Sequence, residues 1–216
     1  GDYGEPTAIV ERSDGAVMSQ FTYVSHKVQK GAPAVPGLPH MRSADETLSI
    51  VLRDAFSDTE ITLHYTVCDD SDVLVRNAEI ANVGKQPIVL QKAFSFCVDL
   101  PNAGYDLLRL TGNWAAERSV DVAPLGKGIT RIQSLRGISS AQFNPFVALL
   151  KKACTEEQGE CYGFQLVYSG SFALSVEADT HQSVRVQGGL NDTAFSWTLD
   201  SGERFVAPQA ALCYSD

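Results

Sequence analysis

The apolar and polar positions along this chain alternate with a dominant period of two residues. The alternation is clear over residues 48–53, 61–68 and 195–200. Because successive side chains of a strand point to opposite faces of a sheet, it predicts strands with one face in a core. His64 falls on the polar face of its strand and is predicted to be exposed, whereas Trp197 falls on an apolar face and is predicted to be core.

Turn-forming residues separate these short runs. Examples are Ser-Asp-Gly at 13–15, Asp-Asp-Ser-Asp at 69–72 and Gly-Gly at 188–189. Regular turns between β-rich runs indicate a sandwich or barrel rather than βαβ units. Since about fourteen or more strands exceed what one open sheet usually holds, the fold class predicted is all-β, a large two-layer antiparallel β-sandwich.

Two segments depart from this pattern. Residues 144–153 could begin a helix, with Asn144 as the cap and Pro145 at the first position, or could form a strand, which we favour because the apolar run is short. Residues 31–44 contain three evenly spaced prolines and are predicted to form a long loop.

Composition and charge exclude several function classes. The 216 residues are 44% hydrophobic, enough for a substantial core, and carry a net charge of -9. Nucleic acids and anionic membranes attract clustered Lys and Arg, so neither is an expected partner. No apolar run approaches the roughly 18 residues of a membrane span.

The five cysteines are an odd number without a CxxC pair, which argues against a disulfide framework or a thiolate metal site. Cys154 and Cys161 could close a loop in an oxidising compartment, but reduced thiols in a cytoplasmic protein are favoured. The four histidines show no metal-ligand spacing, and we expect neither a metal nor a cofactor.

No catalytic constellation is recognisable in this chain. Glycoside hydrolysis needs two converging carboxylates, whereas the adjacent Asp69 and Asp70 fall in a turn. There is also no GxSxG nucleophile elbow and no phosphate-binding loop. The sequence therefore predicts no catalytic residue between positions 1 and 216.

The first candidate binding segment is residues 112–118, where Trp114 is followed by Glu117 and Arg118. An aromatic face beside planar polar groups suits a sugar ring. Packing of Trp114 in the core or at an inter-domain contact is the favoured alternative, with Arg118 paired to Glu117 or to another acid.

A second candidate segment precedes and includes the proline-rich loop. Tyr23 and His26 lead into it, and Arg42 near its end could reach a neighbouring subunit. The alternative is an ordinary strand that ends in a basic residue. Tyr23, His26 and Arg42 are predicted to form a substrate rim or an interface.

Twelve segments occur in the order found in one known family. They are YVSHKVQKGAP (23–33), GLP (37–39), ETLSIVL (46–52), LHYTV (63–67), VLVRNAEIANVG (73–84), DLPNAGYDL (99–107), GNWAAER (112–118), RGISS (136–140), NPF (144–146), YGFQLVYSGS (162–171), FSW (195–197) and CYSD (213–216). On these segments the chain resembles the N-terminal domain of bacterial glycoside hydrolase family 36 α-galactosidases.

The resemblance implies a galactose-mutarotase-like β-supersandwich over residues 1–216 that lacks its first strands. It further implies a following (β/α)8 barrel, absent from this chain, with the two aspartates of a retaining mechanism. The parent enzyme would hydrolyse terminal α-galactosides such as raffinose or melibiose, and the chain alone would be inactive. Expected partners are the chain's own catalytic barrel and further copies of the enzyme, as a tetramer.

Two alternatives remain open. A free-standing carbohydrate-binding module would need an exposed aromatic platform, for which Trp114 is the candidate. A mutarotase-like epimerase would need a His and a Glu that converge in a cleft, and the candidates are His26 or His64 with Glu79. Fold analogy alone does not decide between such functions.

Overall fold

The computed structural model describes residues 4–42, 44–101 and 104–216. This part of the chain contains no helix, and so none that is long and apolar enough to cross a membrane. Its strands, in chain order, are β1 (Ala8–Glu11), β2 (Thr22–Lys30), β3 (Glu46–Asp54), β4 (Thr59–Cys68), β5 (Ser71–Asn82), β6 (Ile88–Pro101), β7 (Asp106–Asn113), β8 (Ala116–Pro124), β9 (Gly128–Ser134), β10 (Phe143–Leu150), β11 (Cys161–Leu166), β12 (Phe172–Ala178), β13 (Ser183–Leu190), β14 (Trp197–Leu199), β15 (Arg204–Val206) and β16 (Ala210–Ser215).

The strands form two antiparallel sheets. The larger sheet has ten strands in the order β2-β3-β4-β5-β16-β11-β10-β7-β8, with β15 also paired to β5. The smaller sheet has six strands in the order β1-β6-β13-β12-β9, with β14 also paired to β6. The predicted two-layer all-β sandwich is therefore confirmed. In the larger sheet β2 and β8 are the two edge strands.

The space between the sheets holds two clusters of apolar side chains. One cluster centres on Phe96, Phe164 and Phe172, where the β6 and β11 rings stack with centroids 5.9 Å apart. The other centres on Ile80 and Leu90 from opposite sheets. Burial of these apolar side chains, each contributing roughly 1.5–3 kcal/mol, holds the layers together.

The two ambiguous segments are resolved as the sequence favoured. Phe143–Leu150 is a strand, β10, and it pairs with both β7 and β11. The described residues of the proline-rich segment form a loop between β2 and β3. This loop docks on the ten-stranded sheet, because Gln209 Oε1 accepts a hydrogen bond from Met41 N at 2.8 Å and Val35 is buried.

The prediction that His64 is exposed was wrong. His64 is buried, and its Nδ1 lies 2.9 Å from Ser49 Oγ on the neighbouring strand. Ser49, His64 and Asn77 form a row across β3, β4 and β5, and all three are buried. Part of the outer face of the ten-stranded sheet is therefore buried, although its side chains are polar. The polar pattern of the strand could not predict this burial.

The prediction that Trp197 is core was also wrong. Its side chain is 51% exposed, although the indole packs edge-on against Phe205 with ring centroids 5.5 Å apart. Trp197 begins the three-residue strand β14, whose pairing with β6 leaves one side of the ring open. Only Leu199 of this run is fully buried.

The burial of His64 predicts a pH dependence of stability. Desolvation, and then the charge of Lys27, lower the pKa of His64 from its usual value of about 6.5. The unfolded chain therefore binds the proton more readily, so His64 contributes stability above about pH 6.5 that is lost as the pH falls through this value. We expect urea unfolding curves to show this loss between pH 7.5 and 5.5.

A His64→Gln variant is the control, because glutamine can still hydrogen-bond to Ser49 but does not titrate. The loss of stability between pH 7.5 and 5.5 should shrink in this variant. An unchanged pH dependence in the variant would assign the effect to other groups.

Candidate functional site

The β7–β8 hairpin carries the first candidate segment. Trp114 lies at its tip with 89% of its side chain exposed, so the indole is available for contact rather than packed in the core. Gly112 has φ 154°, and a Cβ there would collide with the Ala116 carbonyl oxygen. Only glycine lets the two strands approach this closely before the turn.

Backbone strain and one side chain define the shape of this tip. Ala115 and Arg118 have positive φ angles of 62° and 59°, a region that side-chain-bearing residues rarely adopt. Glu117 Oε1 accepts a hydrogen bond from Ala115 N at 3.0 Å and so holds the turn. Arg118 is exposed, and among the described residues no acid pairs with it, so the expected Glu117–Arg118 pair does not form.

The strand that follows the tip is open to solvent as well. β8 is the last strand of the ten-stranded sheet, and Val120 and Val122 are both exposed. Together with Trp114 they line one edge of the sheet with large apolar side chains. An exposed apolar strand edge of this kind is typical of a contact surface.

The second candidate segment lies at the opposite edge of the same sheet. Tyr23 and His26 are on β2, and Tyr23 Oη lies 2.6 Å from His26 Nδ1. Both side chains are exposed, as are Val24 and Val28 on the same strand. Arg42 lies in the proline-rich loop, where it lines a shallow depression with His40 and Gln209.

The structure therefore brings together Tyr23 with His26, and Trp114 with Glu117 and Arg118, but not these two groups with each other. β2 and β8 are separated by the whole width of the ten-stranded sheet. The candidate residues belong to two distinct surfaces rather than to one pocket within this chain.

The described contacts do not assemble an epimerase-like pair of His and Glu. Glu79 Oε1 accepts a hydrogen bond from Arg204 Nη1 at 2.8 Å, while His64 is bonded to Ser49. His26 has Tyr23 as its partner. Within the described ranges, no group of three or more His, Cys, Asp or Glu residues could hold a metal ion, and all five cysteines are free thiols.

The sequence analysis missed a buried cluster of charges on the outer face of the six-stranded sheet. Lys92 is only 1% exposed, and its Nζ lies 3.0 Å from Glu5 and 3.4 Å from Asp192. Arg131 Nη1 also donates to Glu5, at 2.8 Å, and Arg131 Nη2 contacts Asp192. The available signal was a lone lysine within the apolar run of residues 88–98.

Glu5 is the hub of this cluster, since Ser175 Oγ and Gln187 Nε2 also donate to its carboxylate. Burial alone would raise the pKa of Glu5, but the hydrogen bonds from Ser175 and Lys92 and the nearby cations outweigh burial and lower it. The pKa of Asp192 is lowered in the same way, against burial, by Arg131 and Lys92. This network of ion pairs and hydrogen bonds ties residues 4–7 to β6, β12 and β13, so its role is structural.

Comparison with protein families gives a match over residues 1–200 to the family described as "Glycosyl hydrolase family 36 N-terminal domain". Alpha-galactosidase AgaA of Geobacillus stearothermophilus is 40% identical over 220 residues, covering 100% of this chain and 30% of that protein. The bifunctional alpha-galactosidase/sucrose kinase AgaSK of Mediterraneibacter gnavus is 37% identical over 218 residues, covering 100% of this chain and 23% of that protein. The chain thus spans less than a third of the length of these relatives.

Solved structures agree with these matches. The crystal structure of AgaA from Geobacillus stearothermophilus superposes with a TM-score of 0.95 at 40% identity, covering 100% of this chain and 30% of that one. An AgaA variant in complex with raffinose gives a TM-score of 0.95 at 39% identity with the same coverage. The galactosidase domain of AgaSK gives a TM-score of 0.95 at 36% identity, covering 99% of this chain and 30% of that one.

Proposed function

Because the chain belongs to the glycosyl hydrolase family 36 N-terminal domain family, we propose that it is the non-catalytic β-domain of an α-galactosidase. The observation that carries this proposal is a match along the whole chain to proteins more than three times as long. The chemistry is assigned to a separate (β/α)8 barrel whose two aspartates act by a retaining mechanism. The substrates are terminal α-galactosides such as raffinose or melibiose, in keeping with the raffinose complex of the AgaA variant.

Within such an enzyme the two exposed edges of the ten-stranded sheet are contact surfaces. The Trp114 hairpin packs against the catalytic barrel or a neighbouring subunit, and Tyr23, His26 and Arg42 form a second interface. The assembly is a homo-oligomer, a tetramer, located in the cytoplasm. The first surface is supported by the exposed side chains of Trp114 and Arg118 at the hairpin tip. Trp and Arg are among the residues most enriched at interface hot spots.

The experiment compares two proteins, the 216-residue chain and the polypeptide that its complete gene encodes. Hydrolysis of p-nitrophenyl α-galactoside and of raffinose is measured for both. We expect activity from the complete polypeptide and none from the chain alone, because the proposal assigns both catalytic carboxylates to the separate barrel. Activity of the isolated chain, or none from the complete polypeptide, would refute the proposal.

A Trp114→Ala variant of the complete polypeptide tests the hairpin. Loss of a central hot-spot residue costs about 2 kcal/mol or more of binding free energy. The dissociation constant of the assembly, measured by light scattering, should therefore rise roughly 30-fold. Trp197→Ala is the matched control, since Trp197 is half exposed on another strand. Unchanged assembly and activity in the Trp114 variant would remove this surface from the proposal.

A carbohydrate-binding module is the second candidate function, and the observation that favours it is the same exposed indole. Isothermal titration of the 216-residue chain with galactose and raffinose distinguishes the two functions. Binding that Trp114→Ala abolishes would support a sugar platform. Absence of binding would leave Trp114 as a protein contact residue.

A further inference from the structure

A cleft of about 610 Å³ opens between the two sheets. Its walls are mainly apolar, with Ile61 and Leu63 from β4 and Ile80 from β5 on one side, and Phe96 from β6 on the other. Val17 and Met18 form part of the wall and are themselves largely exposed. A volume in this range is typical of small-molecule sites.

One cation is buried in this apolar cleft. Arg76 is 5% exposed, and its guanidinium carbon lies 3.7 Å from the centroid of the Tyr65 ring. Arg76 Nε has no hydrogen-bond partner, and among the described residues no carboxylate pairs with the guanidinium. Burial lowers the pKa of Arg76, as expected for a charge without an anion. A guanidinium nevertheless stays protonated in proteins.

The surrounding groups do not neutralise this charge. The titratable neighbours that favour the cation are Tyr65 and Cys97. Tyr65 meets the guanidinium with the face of its ring, and burial raises the pKa of the Cys97 thiol, so this thiol is neutral at pH 7. Stacking on an aromatic ring supplies only part of what a buried guanidinium loses when it leaves water.

A second polar group in the cleft is unsatisfied. Ser95 Oγ, on β6, is buried and has no hydrogen-bond partner. Buried polar groups are nearly always bonded, so two such groups in one cavity require an explanation. Arg76 offers a planar fork of donors and Ser95 a hydroxyl, which is the donor set that a carboxylate accepts.

We propose that the inter-sheet cleft binds a carboxylate attached to an apolar group, with the carboxylate on Arg76 and Ser95 and the apolar group against Leu63, Ile80 and Phe96. The carboxylate can come from a free small molecule or from an acidic side chain elsewhere in the complete polypeptide. The chemistry of recognition is the same in both cases. This inference is independent of the catalytic role proposed for the parent enzyme.

The test uses octanoate as the probe, with octanol lacking the charge and acetate lacking the apolar chain. Each is titrated calorimetrically into the 216-residue chain. We expect octanoate to bind at least about tenfold more tightly than either control, since a charge-assisted hydrogen bond and apolar burial both contribute. Equal binding of octanoate and octanol, or no binding of octanoate, would overturn the proposal.

Two variants and a matched control assign the binding to the cleft. Arg76→Met keeps the apolar stem and should weaken octanoate binding by about 10- to 100-fold, whereas Ser95→Ala should weaken it several-fold. Arg204→Met makes the same change at an exposed arginine paired with Glu79 and should leave binding unchanged. Undiminished binding in both cleft variants would place octanoate elsewhere and refute the assignment.

Thermal unfolding gives a readout that does not need the probe. If the charge of Arg76 is unpaired until a carboxylate binds, Arg76→Met should raise the Tm of the 216-residue chain or leave it unchanged, because a buried unpaired charge is removed. An arginine that merely supports the fold would give a lower Tm when it is replaced. That result, together with undiminished octanoate binding to Ser95→Ala, would contradict the proposal.

A comparison with the complete polypeptide identifies the source of the carboxylate. Octanoate that binds both proteins indicates a free ligand. Octanoate that binds the 216-residue chain but not the complete polypeptide indicates that an acidic side chain already fills the cleft. Both outcomes support recognition of a carboxylate by Arg76, and neither depends on measured galactosidase activity.

Discussion

Replacing Glu5 with alanine is expected to lower the free energy of unfolding by about 3 kcal/mol. The Glu5 carboxylate accepts from Arg131, Ser175 and Gln187 and pairs with the buried Lys92. Its removal takes the carboxylate acceptor from Ser175 and one of several acceptors from Arg131 and Gln187. The expected loss lies at the low end for a broken buried pair, because Lys92 keeps Asp192 at 3.4 Å.

Urea unfolding of the variant beside the wild-type chain measures this loss. Glu156→Ala serves as the control, since Glu156 lies exposed in the loop between β10 and β11. The control should change stability by less than about 0.5 kcal/mol. A loss at position 5 no larger than that at position 156 would mean that the charge cluster contributes little to the fold.

Replacing Gly189 with alanine is expected to destabilise the fold by about 2–3 kcal/mol. A Cβ at this position would lie 2.7 Å from Phe94 Cα and 2.8 Å from Ser95 N on the paired strand. These are backbone atoms of β6, so they cannot move aside as a side chain would. The pairing of β13 with β6 shifts register at this point, which brings the two backbones together.

Gly126→Ala provides the matched control for this prediction. Nothing lies within 4 Å of a Cβ added there, and the residue is in the turn after β8. Its replacement should be neutral or should stabilise by up to about 1 kcal/mol, because alanine restricts the unfolded chain. Equal melting temperatures for the two variants would show that β6 yields to the added methyl group.

The fold class followed from the sequence because strand alternation and turn residues are local signals. Both survive in the structure, and even the ambiguous run at Phe143–Leu150 is a strand. His64 and Trp197 were misjudged because alternation identifies two faces of a strand but not what covers each face. The buried polar row at Ser49, His64 and Asn77 depends on contacts distant in sequence.

For the candidate sites, the sequence indicated which kinds of residue a segment contains but not how their side chains are placed. The composition around Trp114 indicated a contact, but the exposure of its indole and the strained turn at Ala115 come from hairpin geometry. The sequence analysis singled out neither Lys92 nor Arg76, although each is a cation within a largely buried strand. Their opposite situations, one paired with two acids and one with none, could not be derived before the sheets were assembled.

The position of residues 4–7 has a consequence for the order in which the chain folds. Glu5 bonds to Ser175 and Gln187, which follow it by 170 and 182 residues. At roughly 5–20 residues per second of synthesis, these partners leave the ribosome ~10–35 s after Glu5. Lys92 and Arg131 are made before these two donors, but the bonds from Ser175 and Gln187 cannot form until β12 and β13 have emerged, so residues 4–7 reach their final place late. The slow, high-contact-order closure expected of such a sandwich therefore includes the docking of residues 4–7 onto β12 and β13.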